Sequence, residues 1–315
     1  MSSPTSPERR IAAIDIGSNS CLLELGHVAG GRIQLLAHRK DAIRLGSSLS
    51  SEGVLSEAAM ERGWASLTRF AALLGDLPRG HVRAVATQTL REAVNREQFL
   101  ARGAEILGCP IEVIDGEQEA RLIYEGVAQL LPASRQPRLV VDIGGRSTEL
   151  ALGRGLAIYH AHSLPLGSVS WALEFFADGV LSDKRLAEAE AKALQTLAPH
   201  AEQFHSRHWK HAYGASGTAG AIAKVLSSQQ QRPGWITRQG LASLRWRLVQ
   251  AGHISQVQLG GLREELRPII GGGVTAMLAV FQALEIERMH VAPGALRHGV
   301  LYELAQRLWP GELRH

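Results

Sequence analysis

The sequence predicts an α/β protein made of two domains on one plan, and three observations lead there. Residues 139–153, Leu-Val-Val-Asp-Ile-Gly-Gly-Arg-Ser-Thr-Glu-Leu-Ala-Leu-Gly, form an apolar strand that runs into an acid, a glycine turn and a second strand. Residues 11–26 repeat that grammar, with Asp15-Ile16-Gly17 and Ser20 answering Asp142-Ile143-Gly144 and Ser147 at a constant offset of 127 residues. Around both copies, strand-like runs alternate with helical stripes. A recurrence this long implies two similar units, and 315 residues suffice to build both.

Glycines in such a turn let the backbone approach an anion closely, so that successive N–H groups point at phosphate oxygens. The acid suits a hard cation such as Mg²⁺. One Asp-x-Gly-Gly turn alone would serve an ordinary hairpin equally well. Two of them are expected to face a shared cleft that grips a phosphate chain, with Gly17, Ser18, Asn19 and Ser20 on one jaw. Gly144, Gly145, Arg146, Ser147 and Thr148 make the other.

Taken in order, Ile11–Ile16, Cys21–Val28 and Arg32–Arg39 read as an antiparallel meander. Ser56 opens a helix whose stripe of Met60, Trp64, Leu67, Ala71 and Leu74 marks it as core packing. His81–Thr87 is a strand, and Thr87-Gln-Thr-Leu-Arg91-Glu92 turns from its end toward a helix over 98–107. Polar residues at a strand's carboxyl end tend to face a ligand, so Arg91 either meets a phosphate or pairs with Glu92 or another acid. After the short strand Ile111–Ile114, Glu117 and Glu119 fall in a first helical turn, where acids favour the helix dipole. Glu119 also lies in the segment joining the two repeats.

The second repeat continues through a third strand to Leu164. Gly167-Ser168-Val169 then enters a helix whose N-terminal amides suit an anion. Helices over 182–204 read as packing. His205, His208 and His211 lack a partnering acid and read as a solvated basic edge. Ser216-Gly217-Thr218-Ala219-Gly220 is a third small-residue turn, fit either for phosphate or for helix capping. Helices are expected over 237–267, another from Gly271 toward Leu284, a strand at Met289–Val291 and a closing helix over 295–308. Arginines 232, 238, 245, 247, 263 and 267 offer a path for a long polyanion, whereas no base-stacking pocket is legible.

The formal charge of +4 and pI near 9.3 are modest for a nucleic-acid binder and fit a small anionic partner. No stretch is read as a membrane span, and Met1–Arg10 reads as a loose tail without a signal-peptide core. Cys21 and Cys109 are too few for a disulfide framework, which points to the cytoplasm. Neither nucleic acid nor a membrane is expected as a partner.

In combination these motifs resemble the exopolyphosphatase and guanosine-pentaphosphate phosphohydrolase family, within the superfamily of actin, heat-shock ATPases and sugar kinases. The matching stretches are Asp15-Ile-Gly-Ser-Asn-Ser20, Val85-Ala-Thr-Gln-Thr-Leu-Arg91, Gly116-Glu-Gln-Glu119-Ala-Arg-Leu-Ile, Asp142-Ile-Gly-Gly-Arg-Ser-Thr-Glu149, Leu164-Pro-Leu-Gly167, Gly214-Ala-Ser-Gly-Thr218 and Gly294-Ala-Leu-Arg297. The resemblance implies two ribonuclease-H-like (actin-like ATPase) domains with mixed five-stranded sheets and an interdomain cleft. Domain I would span residues 11–124, with a returning helix near 296–315, and domain II 125–295.

It also implies Mg²⁺-dependent removal of terminal phosphate, with or without K⁺, from polyphosphate or guanosine pentaphosphate. Glu119 would position water, Asp142 and Glu149, with Asp15, would hold metal, and Arg91 would contact phosphate. The hairpin residues together with Gly217 and Thr218 would bind phosphate, and a homodimer is expected. Two departures stand out: Arg146 replaces the family's third glycine, and Ala292-Pro293 with His298 replace Ser-Asp and Glu in its carboxyl-terminal motif. They motivate a second reading, a non-catalytic polyphosphate or alarmone sensor. A kinase of the same superfamily is the third.

Overall fold

The computed structural model describes residues 9–228 and 232–313, which divide into two compact units: Met1–Leu130 with Gly294–His315, and Leu131–Pro293. The first eight residues of the expected tail lie outside the described residues. Arg9 and Arg10 do not continue it, because Arg9 pairs with Glu312 at 2.6 Å and Arg10 begins the first strand.

The first unit is a five-stranded mixed sheet in the order β3-β2-β1-β4-β5. Strands β1 (Arg10–Ile16), β2 (Ser20–Ala29) and β3 (Arg32–Ala42) form the antiparallel meander, while β4 (Val82–Ala86) and β5 (Ile111–Val113) run parallel to β1. Period-two alternation sends Ala12, Ile14 and Ile16 to one face. There they meet Trp64, Leu67 and Phe70 of α1 (Glu57–Leu74) and Phe99 of α3 (Arg96–Leu107). Ser56 caps α1 by accepting from the Ala59 amide, as its position in the sequence indicates. A single helical turn, α2 (Gln88–Glu92), hangs from the carboxyl end of β4.

Helix α4 (Gly116–Leu130) and the closing helix α10 (Leu296–Leu308) also belong to this unit. They touch backbone to backbone. A Cβ on Gly299 would lie 1.9 Å from the Leu122 carbonyl oxygen, and one on Gly126 would lie 2.5 Å from that of Ala295.

The second unit repeats the plan with β6 (Arg138–Ile143), β7 (Thr148–Arg154), β8 (Ala157–Leu164), β9 (His211–Gly214) and β11 (Arg288–Val291). Its sheet, ordered β10-β11-β9-β6-β7-β8, carries one strand more than the five expected. The addition is β10 (Trp235–Thr237), antiparallel to β11. Three residues of strand before a helix are too short to show periodicity, which is why no strand was expected there.

Helices α5 (Ser168–Phe175), α6 (Asp183–Ala201), α7 (Gly217–Ser227), α8 (Arg238–Ala251) and α9 (Ile270–Ala283) complete the unit. Gly252, in the left-handed region at φ 66°, ends α8, so the helices expected as far as 267 stop at Ala251 and give way to 3₁₀ turns. The run Glu264–Ala283 is long and apolar enough to cross a membrane, which corrects the sequence reading, but 67% of its most apolar window is buried. In α9 that burial comes from core packing around Val274, Met277 and Phe281.

The contact of α4 with α10 leaves no room for a methyl group. Gly299→Ala is expected to lower unfolding free energy by about 1–3 kcal/mol in urea titrations. Gly80→Ala, where nothing lies within 4 Å, serves as the control and is expected to stay within about 0.5 kcal/mol of the parent.

Candidate active site

The two hairpins close with the same backbone bond. The Gly17 amide donates to the Ser20 carbonyl at 3.0 Å, and the Gly144 amide to the Ser147 carbonyl at 2.9 Å. In each unit the turn's carbonyls are held from behind. Ser18 and Asn19 accept from the amides of Gly46, Ile43 and Arg44; Gly144 and Gly145 accept from Ser168, Val169 and Ser170. Among the described residues, the Ser18, Asn19 and Gly145 amides donate to no backbone carbonyl. Turns with carbonyls drawn inward leave amides to serve an anion.

That arrangement corrects one expectation. The first amides of α5 are donated to the hairpin at 2.7–3.1 Å and brace it instead of offering themselves to a ligand. Gly167 makes the approach possible, since a Cβ there would fall 2.4 Å from the Arg146 nitrogen. Arg146 itself does not distort the turn, for none of residues 144–147 has a positive φ and the position does not demand glycine.

The first unit gathers acids around its hairpin. Asp15, at the end of β1, is half-buried by surface area, yet desolvation and then the negative Glu119 push its carboxyl up to about 7, against the pull of Arg297 and Lys40. Glu119, in the first turn of α4, is buried, and desolvation raises its carboxyl too. Arg91 opposes that rise: its Nη1 donates to Glu119 Oε2 at 2.7 Å and to the Ile114 carbonyl at 2.8 Å, while Gln88 receives its other edge. Of the alternatives left open by the sequence, Arg91 thus pairs with an acid, and that acid is Glu119 and not Glu92. Thr89 steadies the turn by donating to the Ser18 hydroxyl at 2.8 Å.

Sequence reasoning missed Glu24. This β2 residue is 2% exposed, and its Oε2 receives Arg297 Nε at 2.6 Å and His38 Nδ1 at 3.0 Å. A buried acid in the middle of an apolar strand was the available signal. Arg44 is a second omission: it is exposed beside the hairpin with φ 51°, a left-handed conformation rare for a non-glycine residue. The carboxyl-terminal departure has a structural answer as well. Burial, then Arg297, hold His298 down at about 3, so the ring is neutral and its Nδ1 accepts from the Ala295 amide at 3.0 Å. That is the capping role a glutamate at the third helical position performs.

In the second unit Asp142 and Glu149 are direct register partners across β6 and β7 and share one face. Glu149 is buried and accepts from the Ser163 hydroxyl at 2.7 Å; Thr148 donates to the Leu166 carbonyl at 2.5 Å. Mg²⁺ commonly takes one or two carboxylates and fills its remaining positions with water and phosphate oxygens. The Asp142–Glu149 pair fits that donor set, although no group of three His, Cys, Asp or Glu side chains converges on a metal position among the described residues.

Other expected groups fall differently. Ser216 caps α7 by accepting from the Ala219 amide at 3.1 Å, so Gly217 and Thr218 stand in an ordinary helix start. His205 does have an acid, Glu285, 3.2 Å away. The arginine path is largely neutralised: Arg238 pairs with Glu287, Arg245 with Asp183 and Glu190, Arg263 with Glu265 and Arg267 with Glu264.

The profile of the Ppx/GppA phosphatase family matches residues 25–308. A PPX-GPPA enzyme from Aquifex aeolicus is 26% identical with a TM-score of 0.77, over 94% of this chain and 99% of that one. An exopolyphosphatase from Cytophaga hutchinsonii is 24% identical with a TM-score of 0.85, over 95% and 98%. An exopolyphosphatase-like protein is 22% identical, also with a TM-score of 0.85, over 95% and 98%. The last two bear on the fold.

An acid whose carboxyl is raised in the folded protein binds its proton more tightly there than in the unfolded chain. For Asp15 the folded state therefore loses stability as pH rises from about 4 toward 7 and is penalised fully above that. In EDTA, Asp15→Asn is expected to leave stability unchanged at pH 4 and to raise it at pH 8, by on the order of 2–4 kcal/mol. Denaturant titrations of both proteins at the two pH values check this; a parallel pH dependence would refute it.

Proposed function

Because the chain belongs to the Ppx/GppA phosphatase family, we propose that it is an exopolyphosphatase, cutting the terminal phosphoanhydride of inorganic polyphosphate with water and releasing orthophosphate. The observation that carries this reading is the buried Glu119, raised by desolvation and held by Arg91 next to the amides of the first hairpin. A carboxylate whose affinity for a proton has been raised by burial is a better general base than a solvated one.

Water attacks the terminal phosphorus in line, and the bridging oxygen leaves on a chain one phosphate shorter. Glu119 takes the water proton. Arg91 fixes the carboxylate's orientation and opposes the rise that burial causes. The amides of Ser18 and Asn19 are donors of the kind that stabilise charge growing on equatorial oxygens. Asp142 and Glu149 would hold Mg²⁺, directly or through water, and Asp15 is the corresponding acid of the first unit. When bound, that ion neutralises charge on the phosphate oxygens. Buried free thiols at Cys21 and Cys109 fit a reducing compartment such as the cytoplasm.

Glu119→Gln keeps the shape and removes the base. Turnover of tripolyphosphate is expected to fall by about 10²–10⁴ with the fold intact, and wild-type turnover in that variant would take Glu119 out of the mechanism. Substrate choice is read from orthophosphate release side by side: long polyphosphate and tripolyphosphate are expected to be cut faster than guanosine pentaphosphate, and the reverse order would assign the alarmone instead.

A further inference from the structure

One margin of the second unit's sheet carries a row of rings that phosphoanhydride chemistry does not use. Trp235 of β10, His290 of β11 and Tyr213 of β9 are direct register partners, each beside the next. Partners on neighbouring strands stand about 5 Å apart with their side chains on one face. Here the rings meet: the His290 centroid lies 3.7 Å from that of Trp235 and 5.6 Å from that of Tyr213, the latter pair within 28° of parallel. Ile236, Met289 and Ala212, one residue along each strand, point the other way and are buried in the core. The ring row is therefore not what the sheet needs for packing.

Cations surround it. The guanidinium groups of Arg232 and Arg288 lie 5.1 and 5.3 Å from the Trp235 ring, and His211 stands two residues before Tyr213 on the same face of β9. All three are exposed, and among the described residues none has a carboxylate partner. This contrasts with Arg238 and Arg245 of the following helix, each of which is matched by an acid. Burial, then the positive charge of His211, Arg288 and Arg232, hold the His290 imidazole below its usual range. At neutral pH it is an uncharged aromatic ring and offers a stacking surface.

Aromatic faces next to unpaired guanidinium groups are how proteins hold a base by stacking and its phosphates by charge. The row is three residues wide, which suits a free nucleotide better than a strand. We propose that it is a binding site for a purine nucleoside polyphosphate, the base stacking on Trp235 and the phosphates held by Arg232, Arg288 and His211. The site stands on its own residues, and it holds whether or not the protein cleaves polyphosphate.

Calorimetric titration of the full chain with GTP and with inorganic tripolyphosphate, both in EDTA so that nothing turns over, separates base from phosphate. GTP is expected to bind about tenfold tighter than tripolyphosphate, the increment a stacked base supplies. Trp235→Ala should bring that ratio close to one, Trp235→Phe should keep most of it, and Arg288→Gln should weaken GTP. Saturation-transfer NMR on the unaltered protein should show guanine H8 in contact, a readout that needs no variant. Running ATP beside GTP assigns the base: equal affinity means any purine, tighter GTP means guanine. Equal affinity for GTP and tripolyphosphate, an unchanged ratio in Trp235→Ala, or no transfer to H8 while GTP is bound would each overturn the proposal. Because phosphate release is never measured, failure of the exopolyphosphatase reading leaves these results untouched.

Discussion

The first unit is arranged around the difficulty of burying carboxylates. Removing a carboxylate from water costs several kcal/mol unless a cation or hydrogen bonds replace the hydration. Glu24 is matched by Arg297 and His38, and Glu119 by Arg91. Asp15 has only the weaker pull of Arg297 and Lys40, opposed by Glu119, and its carboxyl rises accordingly. Asp15 is thus the least compensated of the three acids, beside amides that favour an anion. A poorly compensated acid next to N–H donors is complementary to a phosphate that arrives with a cation.

Both units solve the same mechanical problem with different parts. A glycine turn exposes amides only if something occupies its carbonyls, since otherwise the peptide planes are free to rotate. In the first unit the loop after β3 does this, and Arg44 takes a left-handed conformation in delivering its amide to Asn19. In the second unit α5 does it with its own free N–H groups, which every helix start must place somewhere. Gly167 is fixed by this contact, as a side chain there would collide with the Arg146 backbone.

The repeat made the two-unit plan legible because the hairpin grammar is local: acid, glycines and hydroxyl fall within six residues. The helix starting at Ser56 was legible for the same reason, since cap and stripe are both short-range signals. What stayed hidden was every contact between distant segments. Glu24 and Arg297 are separated by 273 positions. No periodicity links them, and the strand around Glu24 reads as apolar. The bracing of the second hairpin by α5 was misread because an unassigned helix start looks like an anion site until its amides are followed to their acceptors. β10 failed for a third reason: three residues of strand hold too little pattern to compete with the helix that follows.

Helix α10 shows why close packing and chemistry cannot be separated in the first unit. Arg297 is its second residue, so the helix must lie near enough to β2 for that side chain to reach a fully buried Glu24. Gly299, two residues further on, permits the approach by letting α10 sit directly on the Leu122 carbonyl of α4, the same helix that carries Glu119. His298 lies between these two, with Nε2 3.9 Å from Glu24 Oε2. A glutamate at this place would cap the helix equally well but would set a further negative charge against an acid that already needs two partners. Neutral histidine caps without adding charge, so the residue that departs from the family's usual motif is the one best suited to a β2 strand carrying Glu24.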